Sequence, residues 1–360
     1  MIFQRSLLRE FANTGLVVFV VLLMITITTQ LIRMLGWAAQ GVIPPDGVLI
    51  LLGLAALRYT PILLSLTVFI AVLMALTRSY RDSEMVVWFA SGRSLLSWIR
   101  PVLTFALPLV FTIGLLSFAL SPWAVQKSEE FRQQLESRDD VSAVSPGVFK
   151  ESKQADRVYF VEKLTTDLSM VANIFVHSKQ NGRDGVMVAE RGFSETAENG
   201  DRFLVLQNGR RYEGEPGSAE YRVTEFERYA LRIEAKEAGK LMTSISAVPS
   251  LDLLRDPTRE HQAELIWRTG IPLSALVLSL LAVPMSFVNP RAGRSLNLVF
   301  AVLLYMVYSN LLSIFQSWVG QGRVVPAVGW LTVHGLMLGL LAFMLWRRMS
   351  VVPLVRWRRA

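Results

Sequence analysis

The sequence predicts an α-helical membrane protein with six transmembrane helices and an inserted antiparallel β-domain. Three observations predict this class. Of the 360 residues, 52% are hydrophobic and only 18% are charged, whereas a soluble domain usually carries about 25% charged residues. Six uncharged runs are long enough to cross a hydrocarbon core, which requires roughly 20 apolar residues in a helix. A long polar segment of different composition separates the third run from the fourth.

The first three runs precede the polar segment. They are residues 11–32, residues 59–77 of a longer stretch broken by Arg58, and residues 101–126. A cleaved signal peptide is the alternative for the first run, but its 22 residues exceed an h-region of about 7–15 residues. We therefore expect the first run to be retained as a transmembrane helix.

The last three runs follow the polar segment, at residues 269–290, 295–322 and 324–346. Basic residues in short loops indicate which ends face the cytoplasm. With the N terminus inside, the inner segments hold 13 Arg against three acidic residues, while the two short outer loops hold only Asp46 and Arg323. This asymmetry predicts that both termini are cytoplasmic.

The polar segment, residues 126–263, predicts a β-domain on the outer side of the membrane. It contains 20 basic and 24 acidic residues. Residues rich in Val, Ile, Phe and Tyr alternate partially with polar ones, and Asn-Gly pairs that favour tight hairpin turns fall between these stretches. The stretches are 157–164, 170–179, 185–195, 202–207 and 220–234, and the Asn-Gly pairs begin at Asn181, Asn199 and Asn208. An antiparallel sandwich or open β-roll, jellyroll-like, fits this pattern.

The predicted domain organisation follows from these segments. Residues 1–125 form the first three transmembrane helices with an inner loop at 78–100, residues 126–263 form the β-domain, and residues 264–360 form the last three helices.

The sequence lacks the motifs of catalysis. The chain has no cysteine, no GxxxxGK[ST] phosphate loop, no GxSxG elbow and no HExxH, and its three histidines lie far apart. His334, inside the last run, is more typical of an interhelical hydrogen bond than of chemistry. Glu264 and Arg268 are spaced to form a helix pair. We therefore expect neither catalytic residues nor a cofactor or metal site.

Two arginines lie near the outer ends of the first two runs. Arg33 and Arg58 either extend to the headgroup level and anchor their helices, or face a cavity and bind an anionic headgroup. Both alternatives stay open for Arg33. For Arg58 the anchoring role is favoured, because residues 48–57 could form only an interfacial helix.

The inner loop 78–100 combines a polar start with an apolar, aromatic block. Ser83 is predicted to cap a short helix whose first turn holds Glu84, a favourable charge at that end of the helix dipole. The helix would present Met85, Val86, Trp88 and Phe89. It is either an amphipathic helix at the membrane interface or a docking helix that receives force from another protein.

Three motifs carry a resemblance to a known family. They are residues 30–36 (QLIRMLG) leading to 41–44 (GVIP), the loop from Ser83-Glu84 to Ser91-Gly92, and residues 289–294 (NPRAGR). Together with the predicted architecture they resemble the LptF/LptG permeases of lipopolysaccharide exporters over the whole chain. The first and last motifs resemble the LptF branch of that family.

The resemblance implies a transport subunit without catalysis in the inner membrane of a Gram-negative bacterium. It implies an LptG-like second permease, an LptB-like ATPase dimer and an LptC-like single-span β-domain protein as partners, lipopolysaccharide as substrate, and no nucleic acid. The β-domain would be periplasmic and offer an edge strand to the next β-domain.

The resemblance also implies roles for single residues. Glu84 matches the acidic residue that meets the ATPase, within a coupling surface of Glu84, Met85, Trp88 and Phe89. Arg33, together with Arg58, would line the lateral gate, where basic side chains can meet the phosphates of lipid A. Two alternatives remain: a permease of another lipid or lipoprotein exporter, typically with four spans, and a membrane-anchored β-domain scaffold or sensor.

Overall fold

The computed structural model describes residues 2–39, 43, 45–142, 150–151, 157–164, 170–180, 183–196, 202–214, 221–233, 244–287 and 296–350. The chain divides into two compact units. The membrane unit comprises Met1–Arg132 with Thr243–Ala360, and the sheet unit comprises Gln133–Met242. The boundaries of the sheet unit differ from the expected ones at residues 126 and 263. A helix continues through residue 126, and the chain after Thr243 packs with the membrane unit.

Nine α-helices lie within the described ranges. They are α1 (Ile2–Ala39), α2 (Val48–Arg81), α3 (Glu84–Ala90), α4 (Ile99–Leu115), α5 (Ser121–Ser142), α6 (Ser250–Arg255), α7 (Arg259–Met285), α8 (Leu296–Gly320) and α9 (Pro326–Met349). A π-helical turn, Leu116–Leu120, joins α4 to α5.

The six predicted transmembrane helices are confirmed as long apolar helices. Within the described residues, six helical segments have the length and composition to cross a membrane: α1, α2, the continuous segment from Leu95 to Gln134 that contains α4, α7, α8 and α9. Helices are expected in these segments, because hydrocarbon provides no hydrogen-bond partners and a helix satisfies its backbone N–H and C=O groups internally.

Two of these helices form the centre of the membrane unit. In α2 and α7, 67% of the most apolar window is buried, against 6% in α1 and 17% in α8. Leu73, Leu76, Leu278 and Leu281, all fully buried or nearly so, belong to the main core that α2 and α7 share. The remaining spans surround this pair and leave long apolar faces uncovered in the chain taken alone.

Helix α1 differs from the other long helices of the first half. It runs for 38 residues, about 57 Å at 1.5 Å per residue, with no proline. Helices α2 and α4 contain Pro61 and Pro108. Near its two ends α1 is packed against the unit through Phe11 and Met34, which are buried in separate apolar clusters. Between these anchors Gly15 lies against Ala71 and Thr67 of α2, but most of the most apolar part of α1 is uncovered within the chain.

The sheet unit contains one antiparallel sheet in which sequence neighbours pair. Its described strands are β1 (Lys150–Glu151), β2 (Arg157–Leu164), β3 (Met170–Gln180), β4 (Arg183–Thr196), β5 (Arg202–Gly214) and β6 (Tyr221–Ile233), in the order β1-β2-β3-β4-β5-β6. The predicted antiparallel β-domain is therefore confirmed. This meander order is that of an open roll, since neighbouring strands need no crossover between them.

One predicted turn is wrong. Asn208 and Gly209 lie inside β5, which continues to Gly214, although the dipeptide was expected to end a strand at residue 207. Asn208 does adopt the positive φ that the motif favours, 52°, but the chain continues as a strand on the far side. The other two Asn-Gly pairs, which begin at Asn181 and Asn199, lie outside the described residues.

Asn208 belongs to a crease across the sheet. We define the crease as a row of five residues, one from each strand from β2 to β6. At each of these positions the register between adjacent strands passes over the residue, although the residues directly before and after it are matched across the strands. The second Asn of the row also has a φ of 52°, a conformation that asparagine tolerates better than most residues. The row consists of Glu162, Asn173, Glu190, Asn208 and Glu227.

The crease changes which residues face the interior. On β4, Ala189 is buried, Glu190 and Arg191 are both exposed, and Gly192 is buried again. The alternation of buried and exposed residues along β4 is thus interrupted by two consecutive exposed residues. This interruption explains why apolar and polar residues alternate only partially in the sequence. Glycine is required beside the crease, because a Cβ on Gly209 would lie 2.4 Å from the Phe226 ring.

Candidate functional site

The loop between α2 and α4 forms a short helix, as predicted. Helix α3 occupies Glu84–Ala90, with Ser83 at its N-cap position. The predicted side-chain cap is wrong: Ser83 has a φ of 61° and its hydroxyl makes no capping hydrogen bond. Instead, the backbone N–H of Val86 donates to the Ser83 carbonyl at 3.2 Å. Gly92, two residues beyond the helix, is also left-handed, with a φ of 83°.

Helix α3 turns a different face outward from the one expected. Met85 was expected to be presented at the surface, but it is only 1% exposed and packs into the main core. Trp88 is partly buried against the same core. Val86 and Val87 are 65% and 67% exposed, and Phe89 is exposed beside them. Met85 therefore holds the helix against the membrane unit, and the free apolar surface consists of Val86, Val87 and Phe89.

Glu84 is held by an arginine of the preceding helix. Arg78, near the end of α2, donates from Nη1 to Glu84 Oε1 at 3.0 Å and from Nη2 to Glu84 Oε2 at 3.3 Å. The same guanidinium donates from Nε and Nη2 to the carboxylate of Glu10 on α1, the Nη2 bond measuring 2.8 Å. Asp82 accepts a further bond from Nη1 at 3.0 Å. One cation thus joins carboxylates from α1, the end of α2, and α3.

Aromatic contacts extend this arrangement to the ends of two more spans. The Tyr80 ring lies 6.3 Å from Phe89 of α3 and 5.6 Å from Phe287, which follows α7. Arg348 of α9 lies 4.2 Å above the Phe287 ring, a favourable cation–π distance. Helix α3 therefore contacts α2, and through Tyr80 and Arg78 of α2 it is linked indirectly to α1 and to the ends of α7 and α9.

Arg33 lies at the opposite end of α1 from Glu10. It is exposed, and the adjacent Met34 packs with Val48 and Leu51 at the start of α2. Glu10 and Arg33 are 23 residues apart, about 35 Å along a helix. Since Glu10 sits at the level of the Arg78 cluster, Arg33 lies just beyond one hydrocarbon thickness of about 30 Å.

Arg58 lies within α2 and is also exposed. The expectation that residues 48–57 form a separate interfacial helix is wrong, because α2 is continuous from Val48 to Arg81. Arg58 is 20 residues from Arg78, about 30 Å along a helix, so it also lies towards the end of the spans opposite the Arg78 cluster. Its guanidinium lies 5.8 Å from the ring of Tyr59. The structure thus brings Arg33 and Arg58 to a similar depth on two packed helices.

Sequence reasoning missed the buried network around Arg268. The predicted Glu264–Arg268 pair is confirmed, with Arg268 Nε donating to Glu264 Oε1 at 2.9 Å. Arg268 is only 2% exposed, and its remaining nitrogens donate to Ser250 Oγ at 2.7 Å and to the carbonyls of Ser246 and Val248 at 3.2 and 2.9 Å. The pair is a fully hydrogen-bonded internal site rather than a surface helix pair.

The same network reaches the π-helical turn. Ser117 Oγ donates to the Arg268 carbonyl at 3.1 Å, and Ser250 Oγ donates to the Phe118 carbonyl at 2.5 Å. Three segments of the membrane unit, residues 244–250, α7 and the turn Leu116–Leu120, therefore meet at Arg268. Ser117 and Ser250 are the polar residues that could have indicated this network in the sequence. Their bonds join residues that are 151 and 132 positions apart, which is too far for a local sequence pattern to reveal.

His334 makes the interhelical bond that was predicted. Tyr308 of α8 and Nδ1 of His334 on α9 are hydrogen-bonded at 2.6 Å, and Trp330 stacks edge-on at 4.9 Å. The histidine is thus part of the packing of α8 with α9.

Comparison with known proteins agrees with this architecture. The profile of the family described as "Lipopolysaccharide export system permease LptF/LptG" matches residues 5–347. The chain belongs to this family. Proteins named lipopolysaccharide export system permease protein LptF, from Escherichia coli K12 and from Shigella flexneri, are each 29% identical over 360 residues, covering 99% of this chain and 98% of theirs.

As a member of the LptF/LptG family, the chain is a permease subunit of lipopolysaccharide export. The family match extends over every span, the sheet unit, the Arg78 cluster and Arg33. Family membership therefore decides between the alternatives left open by the sequence, in favour of the lipopolysaccharide exporter over another exporter or a scaffold.

Proposed function

We propose that the chain withdraws lipopolysaccharide from the outer leaflet of the inner membrane and passes it to a bridge of periplasmic β-domains. Lipopolysaccharide carries several acyl chains below clustered phosphates, so its path must be apolar within the bilayer and cationic at the outer level. The observation that carries the proposal is the outer part of α1, where exposed Met24, Ile25 and Ile32 lie beside or below Arg33.

The proposal includes a topology. Both termini face the cytoplasm, and the sheet unit lies in the periplasm. The support is the concentration of arginine at one end of the spans, including Arg78, Arg81, Arg347 and Arg348, together with the sparse charge of the opposite short loops.

A second, LptG-like permease completes the cavity. The support is the uneven burial of the spans: α1 and α8 are mostly uncovered within this chain, while α2 and α7 are mostly buried. Exposed apolar faces of this length suit lipid, acyl chains of a substrate, or the matching helices of a partner.

An LptB-like ATPase dimer drives the cycle from the cytoplasmic side. Helix α3 is the proposed docking element, with Val86, Val87 and Phe89 as its apolar contact surface and Glu84 at its start. Met85 and Trp88 support that surface from behind by packing into the core. Because α3 contacts α2 and is linked through Arg78 and Tyr80 to further spans, it suits the transmission of force.

An LptC-like protein extends the β-domain bridge by strand addition. In the part of the sheet that the structure describes, β6 is an edge strand of 13 residues, paired only with β5. Unpaired backbone groups along such an edge can accept another strand. Its outward residues are largely charged, which would favour a specific partner over self-association.

Site-specific photocrosslinking tests the proposed path. A photoreactive residue replacing Ile32 of α1 should crosslink lipopolysaccharide in membranes containing the assembled exporter. Leu331 of α9 is the matched control, since the two side chains are 66% and 62% exposed and both lie towards the proposed outer side. Crosslinks from Ile32 with few from Leu331 support α1 as the path. Equal labelling from both positions, or labelling from Leu331 alone, would reject it.

Copurification tests the proposed partners. Purification of the chain from its native membranes should recover an ATPase and a second permease of six spans. Recovery of the folded chain without either would contradict the proposed assembly.

A further inference from the structure

The cluster around Arg78 has a property that docking of an ATPase does not require. Glu84, the proposed motor-contacting carboxylate, is held by a guanidinium that is shared with Glu10 of a different span. Asp82 also pairs with Arg78, but it follows directly after the same helix, so that pair connects no second span. The element-joining part is thus Glu10, Arg78 and Glu84, which we name the Arg78 link.

The geometry of the link requires an arginine. Its Nε and Nη2 donate to the two oxygens of Glu10, and its Nη1 and Nη2 donate to the two oxygens of Glu84. A planar guanidinium has five N–H donors in a fixed fork and can hold two carboxylates in defined directions. A lysine ammonium keeps the charge but not these directions.

The backbone around α3 suits a movable element. Ser83 and Gly92, on either side of the helix, both have left-handed φ values, 61° and 83°. For serine this conformation is uncommon, and such strained residues concentrate at functional and switching segments. Helix α3 is thus a short unit between two sharp backbone turns, held at its first residue by the Arg78 link and at its second by Met85 in the core.

Helix α1 suits the receiving end. It has no proline, it is the least buried of the six spans, and it extends from Glu10 on the link to Arg33 at the outer level. A displacement applied at Glu10 is carried by the continuous hydrogen-bonded helix, since no interruption absorbs it.

We infer that Arg78 is a positioning residue that transmits the movement of α3 to α1, and so joins the ATPase-facing helix to the helix that carries Arg33. The inference rests on the proposed function, because it takes α3 as the element that the ATPase moves. Breaking the link at Glu10 should leave ATP hydrolysis intact and disconnect it from lipid movement.

The test uses the full exporter in liposomes and counts the lipopolysaccharide molecules delivered per ATP hydrolysed. Glu10→Gln should lower this ratio about fivefold, the scale of one partly exposed charged contact, with ATPase turnover unchanged. Asp82→Asn is the matched control, since it removes a carboxylate from the same guanidinium but joins no second span, and it should keep the wild-type ratio. Arg78→Lys should fall between them. A purely structural role would instead lower transport and hydrolysis together through reduced abundance.

A distance measurement tests the link without any partner. The chain contains no cysteine, so spin labels can be placed on cysteines introduced at Arg5 and Val87, both exposed on α1 and α3. The distribution of label distances should broaden with Glu10→Gln and not with Asp82→Asn. Unchanged distances in Glu10→Gln would overturn the link.

The outcomes separate this inference from the proposed function. Glu84→Gln removes a charge from both the docking surface and the Arg78 link, so its ATPase association is compared with that of Glu10→Gln, which changes the link alone. If Glu84→Gln retains full association, docking at Glu84 is rejected, while the label distances still decide whether Arg78 joins α1 to α3. If Glu10→Gln keeps the wild-type transport ratio, the inference is rejected although the proposed function stands.

Discussion

Arg33 is exposed near the end of α1 that lies away from the Arg78 cluster, and exposed apolar residues, Ile32 and Leu35, lie close to it in the sequence. No ion pair with Arg33 occurs among the residues that the structure describes. For a charge in this position, an anchoring role and a phosphate-binding role differ in a measurable way. An anchor requires only a side chain that reaches polar surroundings, whereas a phosphate contact benefits from the bidentate fork of arginine.

Substitution of Arg33 separates the two roles. We expect lipopolysaccharide crosslinking and copurification to fall in the order Arg > Lys > Gln > Glu at equal protein abundance, because lysine keeps the charge without the fork and glutamate repels phosphate. Arg323→Gln, in an outer loop, is the control for loss of one outer charge and should be silent. Equal binding by the wild type and all three Arg33 variants would assign the residue to anchoring.

Glu84 and Asp82 form a natural pair of test and control. Both carboxylates accept from Arg78 Nη1 at 3.0 Å, and both side chains are 42% exposed. Glu84→Ala should weaken ATPase copurification, since truncating one partner of a desolvated interfacial ion pair costs roughly 2–5 kcal/mol. Asp82→Ala should have little effect, as expected for an exposed pair worth about 0–1 kcal/mol. Undiminished copurification by Glu84→Ala would exclude the docking role.

Some of these residue-scale features could be predicted and others could not. The Glu264–Arg268 pair follows from its i,i+4 spacing, because that spacing places both side chains on one face of a helix. The Arg78–Glu10 pair spans 68 residues and depends on how α1 packs on α2, which no local pattern encodes. The outward face of α3 was misjudged at Met85, because a seven-residue helix gives too short a period to identify the buried side.

At the scale of elements, the Arg268 network fastens residues 244–250 and the π-helical turn to α7. Arg268→Met would leave the buried Glu264 carboxylate and the carbonyls of Ser246 and Val248 without their donor. Breaking a buried pair in this way costs about 3–5 kcal/mol, so the thermal unfolding midpoint in detergent should fall clearly.

Two further variants test this explanation. Arg255→Met removes an exposed pair with Asp252 and should shift the midpoint little. Adding Glu264→Gln to Arg268→Met should recover part of the loss, because the uncompensated charge is then removed. No recovery in the double variant would show that the carboxylate is not the source of the destabilisation.

A second prediction at this scale concerns Gly209, which lies beside the crease in the sheet. A Cβ on Gly209 would lie 2.4 Å from the Phe226 ring and 2.6 Å from the Val188 carbonyl oxygen, and the backbone atom cannot move aside easily. Gly209→Ala should therefore destabilise the sheet by about 1–3 kcal/mol, measured as faster protease cleavage of the sheet unit in the full chain. Asn208→Gly, one residue away, removes a strained φ and should be neutral or protective. Resistance of Gly209→Ala equal to wild type would contradict the close approach.

The crease also explains why β5 was predicted too short. An Asn-Gly pair after a run of alternating residues is a strong hairpin signal, and Asn208 adopts the left-handed conformation that the signal implies. The deciding contacts are the pairs on both sides of it, with β4 and β6, which keep residues 209–214 in the sheet. The Asn-Gly motif thus predicted the backbone conformation of Asn208 correctly, but it did not predict that the strand continues beyond this residue.

At the scale of the whole molecule, the six spans could be predicted because the bilayer imposes their length and excludes charges from them. The border of the sheet unit could not. Charged residues from Lys127 onward suggested that the helix had ended, but α5 continues to Ser142. Residues 244–255, polar enough to resemble part of the β-domain, belong to the membrane unit because Arg268 binds them from within it.

Assembly with another β-domain should depend on the backbone of β6. We expect proline substitutions at the adjacent positions Thr224 and Glu225 to differ, because adjacent N–H groups in a strand point to opposite sides. One variant should weaken pairing with β5, and the other should remove only an outer donor and abolish binding of an LptC-like β-domain. Binding in pull-down assays and protease resistance of the sheet unit distinguish the two. Retained binding by both folded variants would exclude β6 as the edge used.

The Arg268 network has a consequence for biogenesis. An arginine in a membrane helix is costly without partners, and the guanidinium of Arg268 finds its partners in residues 244–250 and in Glu264 of its own helix. All of these residues precede Arg268 in the chain, so they are already synthesised when α7 enters the membrane. The charge of Arg268 can therefore be paired by the segment directly before its own helix, without waiting for α8 or α9.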